Sequence, residues 1–204
     1  IYKILKKLIK ENRIERDCDI QFAGGEPTLH SEFEEIIRLF LDNSFSRVRI
    51  NSSGIKYSKI IERGLKEDKL LLCISPDSGE RELYKKIKRT DCYDILWNNI
   101  SKYAKARNNN KKSLQLKYVI IPNVNDTESD IQKFLNKVIE NNIKFVIIDF
   151  EAHSYRTKKY NIQFIKKSFS LVKYAKQYTT KYDVELCYGP SVNSAISEFK
   201  ELYI

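Results

Sequence analysis

The sequence predicts an α/β fold of parallel strands joined by helices, closed as a barrel or left as an open sheet. Three observations predict it. Six short apolar or β-branched runs recur along the 204 residues, helical patterns separate them, and turn-forming polar residues close the runs at their C-terminal ends.

The chain opens on a Lys-rich amphipathic stretch, 1–10, in which Lys3, Lys6, Lys7 and Lys10 read as a solvated helical face. The first strand-like run is 19–22. The helix after it is expected to start at Ser31, because Ser31 with Glu34 fits a capping box ahead of Ile36, Ile37 and Phe40 at helical spacing. The run 47–51 alternates as Arg47-Val48-Arg49-Ile50, so it is expected to be the least secure strand or to lie near an edge. The run 70–75 follows, then helical pieces over 80–88 and 93–107 and a polar stretch over 108–112. After the run 114–121, Thr127 with Asp130 caps a helix that carries Phe134, Leu135 and Val138. Phe145-Val146-Ile147-Ile148 in the run 145–150 is continuously apolar, as suits a strand covered on both faces, and 184–188 is the last run.

With 42% hydrophobic residues, the chain is long enough for one sizeable core, and it reads as one soluble domain over 1–204. No run approaches the roughly 18 apolar residues of a membrane span, and no signal-peptide cleavage pattern is present, so a cytoplasmic protein is expected. The net charge of +10 is spread over helical faces, and the 13 tyrosines show no aromatic-basic pattern of an RNA-binding sheet, so nucleic acid is not the expected partner. Cys18, Cys73, Cys92 and Cys187 are too far apart to form a zinc or iron-sulfur loop, so no metal ligand is assigned. The chain begins at Ile1 and contains no Met, which marks it as an expected excerpt of a longer protein.

The chemistry gathers where the runs end, the side on which a parallel barrel builds its active site. These ends read Gly24-Gly25-Glu26, Asn51-Ser52-Ser53-Gly54, Ser75-Pro76-Asp77-Ser78-Gly79, Pro122-Asn123-Val124-Asn125-Asp126, Asp149 to His153 and Gly189-Pro190-Ser191. In Ala23-Gly24-Gly25-Glu26-Pro27 two residues without side chains precede a carboxylate. A bare backbone beside a charge suits a small ammonium group, and Pro27 sets the exit direction.

Gly24-Gly25-Glu26-Pro27-Thr28, Asn51-Ser52-Ser53-Gly54, Ser75-Pro76-Asp77-Ser78 and Val124-Asn125-Asp126, in that order, resemble the core of radical S-adenosylmethionine enzymes. The resemblance covers about 19–150. It implies a partial (βα)6-type TIM-like barrel of parallel strands, with 151–204 supplying a C-terminal helix, strand and tail. It also implies S-adenosylmethionine and a 4Fe-4S cluster as cofactors, a reductant as partner, and a 5'-deoxyadenosyl radical acting on a substrate that the sequence does not specify.

Residue by residue, the resemblance assigns the methionyl amino group to Gly24, Gly25, Glu26 and Pro27, through the Gly24 carbonyl and the Glu26 carboxylate. Ser53 and Ser75 offer hydroxyls to the ribose or the carboxylate, or else cap their turns. Lys117 either faces inward toward the cofactor carboxylate or lies on the other face and snorkels outward. Ile121, Val124 and Asn125 match the adenine-contacting stretch. Asp77 reads as a turn former. His153, with Asp149, Glu151, Tyr155 and Arg156 near it in sequence, is either substrate-facing or incidental, and His30 reads as a loop residue.

One departure is large. The family's cluster is held by a CxxxCxxC loop after the first barrel strand, and this chain has none. Because 1–10 reads as the helix after that loop, the first strand and the loop are expected upstream of Ile1, and the excerpt alone is expected to be inactive. No catalytic residue is assigned. Two other readings stay open: a Schiff-base barrel enzyme using Lys117 with Glu26 as proton shuttle, and a degenerate, non-catalytic binding module.

Overall fold

In the computed structural model, which describes residues 1–45, 47–151 and 162–203, all six expected strands form. The elements run α1 (Tyr2–Lys10), β1 (Ile20–Phe22), a 3-10 turn (Pro27–Leu29), α2 (Phe33–Asp42), β2 (Val48–Ser52), α3 (Lys59–Lys66), β3 (Leu70–Ile74), α4 (Arg81–Lys88) and α5 (Tyr93–Ala106). They continue with β4 (Leu114–Ile120), α6 (Glu128–Glu140), β5 (Phe145–Phe150), α7 (Ile162–Lys181), β6 (Glu185–Tyr188), α8 (Pro190–Glu198) and α9 (Lys200–Tyr203). The strands follow chain order, β1-β2-β3-β4-β5-β6, in one six-stranded sheet. That order is the α/β architecture of successive strand–helix–strand crossovers, as expected.

The chain divides into two compact units. The first comprises Ile1–Ile74 and Asp94–Gln115. Here β1 pairs in parallel with β2, Gln21 opposite Arg49, and β2 with β3, Arg49 opposite Leu71. β2 is therefore paired on both sides. It lies next to β1, the first strand of the order, and so near an edge as expected; Val48 and Ile50 are buried while Arg49 is exposed on the opposite face. Phe22, Phe33, Phe40 and Phe45 pack edge to face at centroid distances of 5.0 to 6.2 Å, the favoured aromatic geometry, and close the core beneath α2. The expected Ser31 cap does not form. The N-cap of α2 is Glu32, without a side-chain bond, because His30 Nδ1 accepts the Glu32 N–H and Glu34 instead accepts from the Ser58 hydroxyl.

The second unit comprises Ser75–Tyr93 and Leu116–Ile204. β4 pairs with β5, Lys117 opposite Ile147, and β5 with β6, Ile147 opposite Cys187. Tyr118 packs on Phe134 at 5.0 Å, and Phe150 on Phe164 and Phe169, so each apolar strand face meets α6 or α7. Thr127 caps α6 as expected: its hydroxyl accepts the Asp130 N–H at 3.2 Å and donates to the Asp130 carboxylate. Among the described residues no helix is long and apolar enough to cross a membrane.

Candidate functional site

In the first unit, the turn after β1 uses its glycines as their chemistry allows. Gly24 stands at φ +88° and Gly25 at +60°, the left-handed region open to glycine, and a side-chain carbon at either would meet no atom within 4 Å. The main chain here is bare on its outer side. Glu26 then turns back over the loop. Its Oε1 accepts from the Thr28 N–H at 3.2 Å, the Thr28 hydroxyl at 2.7 Å and the Ser52 hydroxyl at 2.9 Å, and its Oε2 accepts from the Ser53 N–H at 2.5 Å. Pro27 opens the 3-10 turn that aims Thr28 at the carboxylate. One carboxylate thus ties the loop after β1 to the loop after β2, with both the main chain and the hydroxyl of Ser53 bonded to it.

Ser52 and Thr28 were not singled out by sequence reasoning as site residues. A Thr two residues after a carboxylate, in Glu26-Pro27-Thr28, is the local signal for such a turn. A cavity of about 320 Å³ opens beside the loop, lined by Gly24, Glu26 and Pro27 together with Phe22, Phe33 and Leu5.

Burial of Glu26 pushes its carboxyl up, but the bonds from Ser53, Thr28 and Ser52 outweigh it, and the group is held below its ordinary value of 4.5. The sign follows. A carboxyl with a lowered folded-state value stabilises the fold above its unfolded value, and that contribution is lost as pH falls through the folded value. The thermal stability gap between wild type and Glu26→Gln is therefore expected to be widest near neutral pH and to shrink between about pH 5 and about pH 3. Melting curves across that range check it, and a constant gap would refute the clamp.

The second unit holds the other assigned residues. Ser75 is partly exposed just beyond β3. Lys117 does not snorkel outward: its Nζ pairs with Asp149 Oδ2 at 2.8 Å, the two side chains being 27% and 6% exposed. Asp149 is itself held hard. Its Oδ1 accepts the N–H groups of Phe150 at 3.0 Å, Ser191 at 3.0 Å and Val192 at 3.4 Å, so it caps the start of α8 from a distance. Gly189 makes this possible, since a side-chain carbon there would collide with the Asp149 carboxylate. The sequence places Asp149 in the polar strand-end segment 149–153 and beside His153, with no partner assigned to it. The available signal was a lone acid at the end of an apolar strand, which when buried requires a partner. His153, Tyr155 and Arg156 lie outside the described residues.

Ile121 and Val124 are partly exposed in the loop after β4, and Asn125 beneath them is fully buried. The Asn125 amide is consumed by the loop: Nδ2 donates to the carbonyls of Asp77 at 3.0 Å and Val119 at 2.9 Å, and Oδ1 accepts the Ile121 N–H at 2.7 Å. Asp77 stands at φ +57°, with one carboxylate oxygen accepting the Val119 N–H at 2.8 Å and the other from Lys88 at 2.5 Å. Burial pushes the Asp77 carboxyl up, against the pull of Lys88. Asp77 orders the loops after β3 and β4, as expected of it.

The model of the Radical SAM superfamily matches residues 3–138. This chain belongs to the radical SAM superfamily. Among curated relatives, a probable GTP 3',8-cyclase of Methanococcus aeolicus is 28% identical over 157 residues, 74% of this chain and 50% of that protein. A 7,8-dihydro-6-hydroxymethylpterin dimethyltransferase of Methanocaldococcus jannaschii is 42% identical over 60 residues, 29% of this chain and 12% of that protein. The radical SAM chain thus spans half or less of these relatives. The crystal structure of Streptococcus suis SuiB bound to S-adenosylmethionine superposes with a TM-score of 0.69 at 17% identity, over 97% of this chain and 43% of that one, which establishes the shared fold.

The superfamily uses S-adenosylmethionine and a 4Fe-4S cluster. The open Gly24-Gly25 backbone and the negative charge of the Glu26 carboxylate fit the amino group of the first. The cluster has no such fit: among the described residues no three His, Cys, Asp or Glu side chains are grouped to hold a metal, and the four cysteines are separate free thiols. Membership favours the radical SAM reading over the Schiff-base one, and the Lys117 amine is already engaged by Asp149.

Proposed function

We propose that the whole protein cleaves S-adenosylmethionine reductively to a 5'-deoxyadenosyl radical that takes hydrogen from a substrate, and that the strand ends of this chain bind the cofactor. The loop Gly24-Gly25-Glu26 carries the reading. Its bare backbone and oriented carboxylate offer a charge-assisted grip on the methionyl ammonium, through the Gly24 carbonyl and Glu26 Oε2. Ser53 and Ser75 supply hydroxyls to the ribose or the carboxylate. Lys117, held in place by Asp149, presents its ammonium to the cofactor carboxylate. Ile121 and Val124 cover the adenine, while Asn125 acts through the loop it organises, since its amide is already spent. The chain acts as one core domain over 1–204, and a one-electron reductant is the implied partner.

The whole protein, reconstituted anaerobically with iron and sulfide and supplied with dithionite and S-adenosylmethionine, is expected to release 5'-deoxyadenosine. Glu26→Gln is expected to weaken S-adenosylmethionine binding at least about ten-fold. Thr28→Val loosens the same loop but leaves the carboxylate, and is expected to keep most of the affinity. No nucleoside release from protein whose cluster is verified by visible absorption overturns the cleavage. Equal weakening in both variants overturns the ammonium role of Glu26.

A further inference from the structure

The first unit contains a second cavity, of about 370 Å³, set toward the N-terminal ends of its strands and away from the glycine loop. It is lined by Arg47, Arg49 and Gln21, by Leu71, and at its rim by Asp19 and Asp68. Parallel register puts Gln21, Arg49 and Leu71 side by side on one face of the sheet, opposite the face on which Val48 and Ile50 are buried. Arg47, two residues earlier, has the same parity, which sets the two arginines about 7 Å apart along the strand. A face of parallel strands is ordinarily filled by apolar side chains. Here it offers two guanidinium groups and an amide, and among the described residues neither arginine has an ion-pair partner.

Guanidinium forks bind planar or tetrahedral oxyanions through paired N–H donors, and the Gln21 amide adds a further donor. We propose that this cavity binds an oxyanion, a carboxylate or phosphate carried by a small molecule, with Arg49 as the central contact and Gln21 and Arg47 flanking it. Asp19 and Asp68 at the rim select a ligand that also carries an amine or hydroxyl donors. Ser53, the residue after β2, lies four residues or about 13 Å further along the chain from Arg49. That this ligand is the substrate rests on the proposed function; that the cavity takes an oxyanion does not.

The test is a titration of the purified protein with inorganic phosphate in one arm and succinate in the other, followed by arginine Nε–H resonances at constant ionic strength. The Arg49 resonance is expected to shift with at least one of the two, with a dissociation constant of about 1 mM. The stronger arm identifies the ligand as phosphate- or carboxylate-bearing. Arg49→Ala is expected to weaken binding at least about ten-fold, and Arg38→Ala, which removes the same charge from the exposed face of α2, to leave it unchanged. Equal weakening in both variants, or no saturable shift in either arm, overturns the site. S-adenosylmethionine affinity, measured in parallel on Arg49→Ala, is expected to stay at the wild-type value. Failure of the wild-type protein to bind S-adenosylmethionine while it still binds the oxyanion counts against the proposed function and not against this cavity.

Discussion

Asp149→Ala is expected to destabilise the protein by about 3–5 kcal/mol, the cost of removing one partner from a buried ion pair. Three losses fall on one site. The Lys117 ammonium, 27% exposed, loses its counter-ion at 2.8 Å. The N–H groups of Ser191 and Val192 lose the acceptor that caps α8, a helix with no side-chain cap of its own. The space against Gly189 empties as well. Denaturant unfolding measures the effect, and a change under about 1 kcal/mol would show that solvent substitutes for the carboxylate. The pairing makes a second measurement informative. Lys117→Met in the Asp149→Ala background removes the stranded cation, so the double variant is expected to be more stable than the sum of the single losses. It is not expected to reach wild type, because the start of α8 stays uncapped.

Asn125→Ala is expected to cost about 3 kcal/mol, from three buried main-chain groups losing their partners at roughly 1 kcal/mol each. Those groups are the carbonyls of Asp77 and Val119 and the N–H of Ile121. No water takes the place of the amide readily, since Asn125 is fully buried and its own carbonyl is bonded to the Tyr118 hydroxyl at 2.6 Å. Asn125→Asp separates hydrogen bonding from volume. It keeps the acceptor for Ile121 but turns a carboxylate oxygen toward two carbonyls, so it is expected to be at least as destabilising as alanine. Chemical denaturation of the two variants decides the matter, and an aspartate variant milder than alanine would overturn the donor role of Nδ2.

These effects mark where the sequence was legible. Continuous apolar character at 145–148, and the threonine–aspartate spacing at Thr127, announce a covered strand and a capped helix, and both form where expected. Such features depend on residues within a turn or two of one another. The Ser31 cap failed because a competing local bond, from the Glu32 N–H to His30, and a distant one, from Ser58 to Glu34, took its participants. The alternation of 47–51 predicts an insecure or edge-near strand. It belongs to a strand beside the terminal strand β1 that is nonetheless paired on both sides, and Arg47 and Arg49 line a cavity.

The sequence by itself determined the order of strands and helices, the family, and the four strand-end segments that carry its motif, because periodicity and turn chemistry are properties of neighbours along the chain. Only the tertiary structure decided what the polar groups do. Glu26 became a clamp between two loops, Asn125 a buried organiser, and Lys117 one half of a pair with an aspartate 32 residues away. The physical reason is burial. A polar group taken out of water must find its partner wherever the fold places one, and only the folded chain says which residue that is.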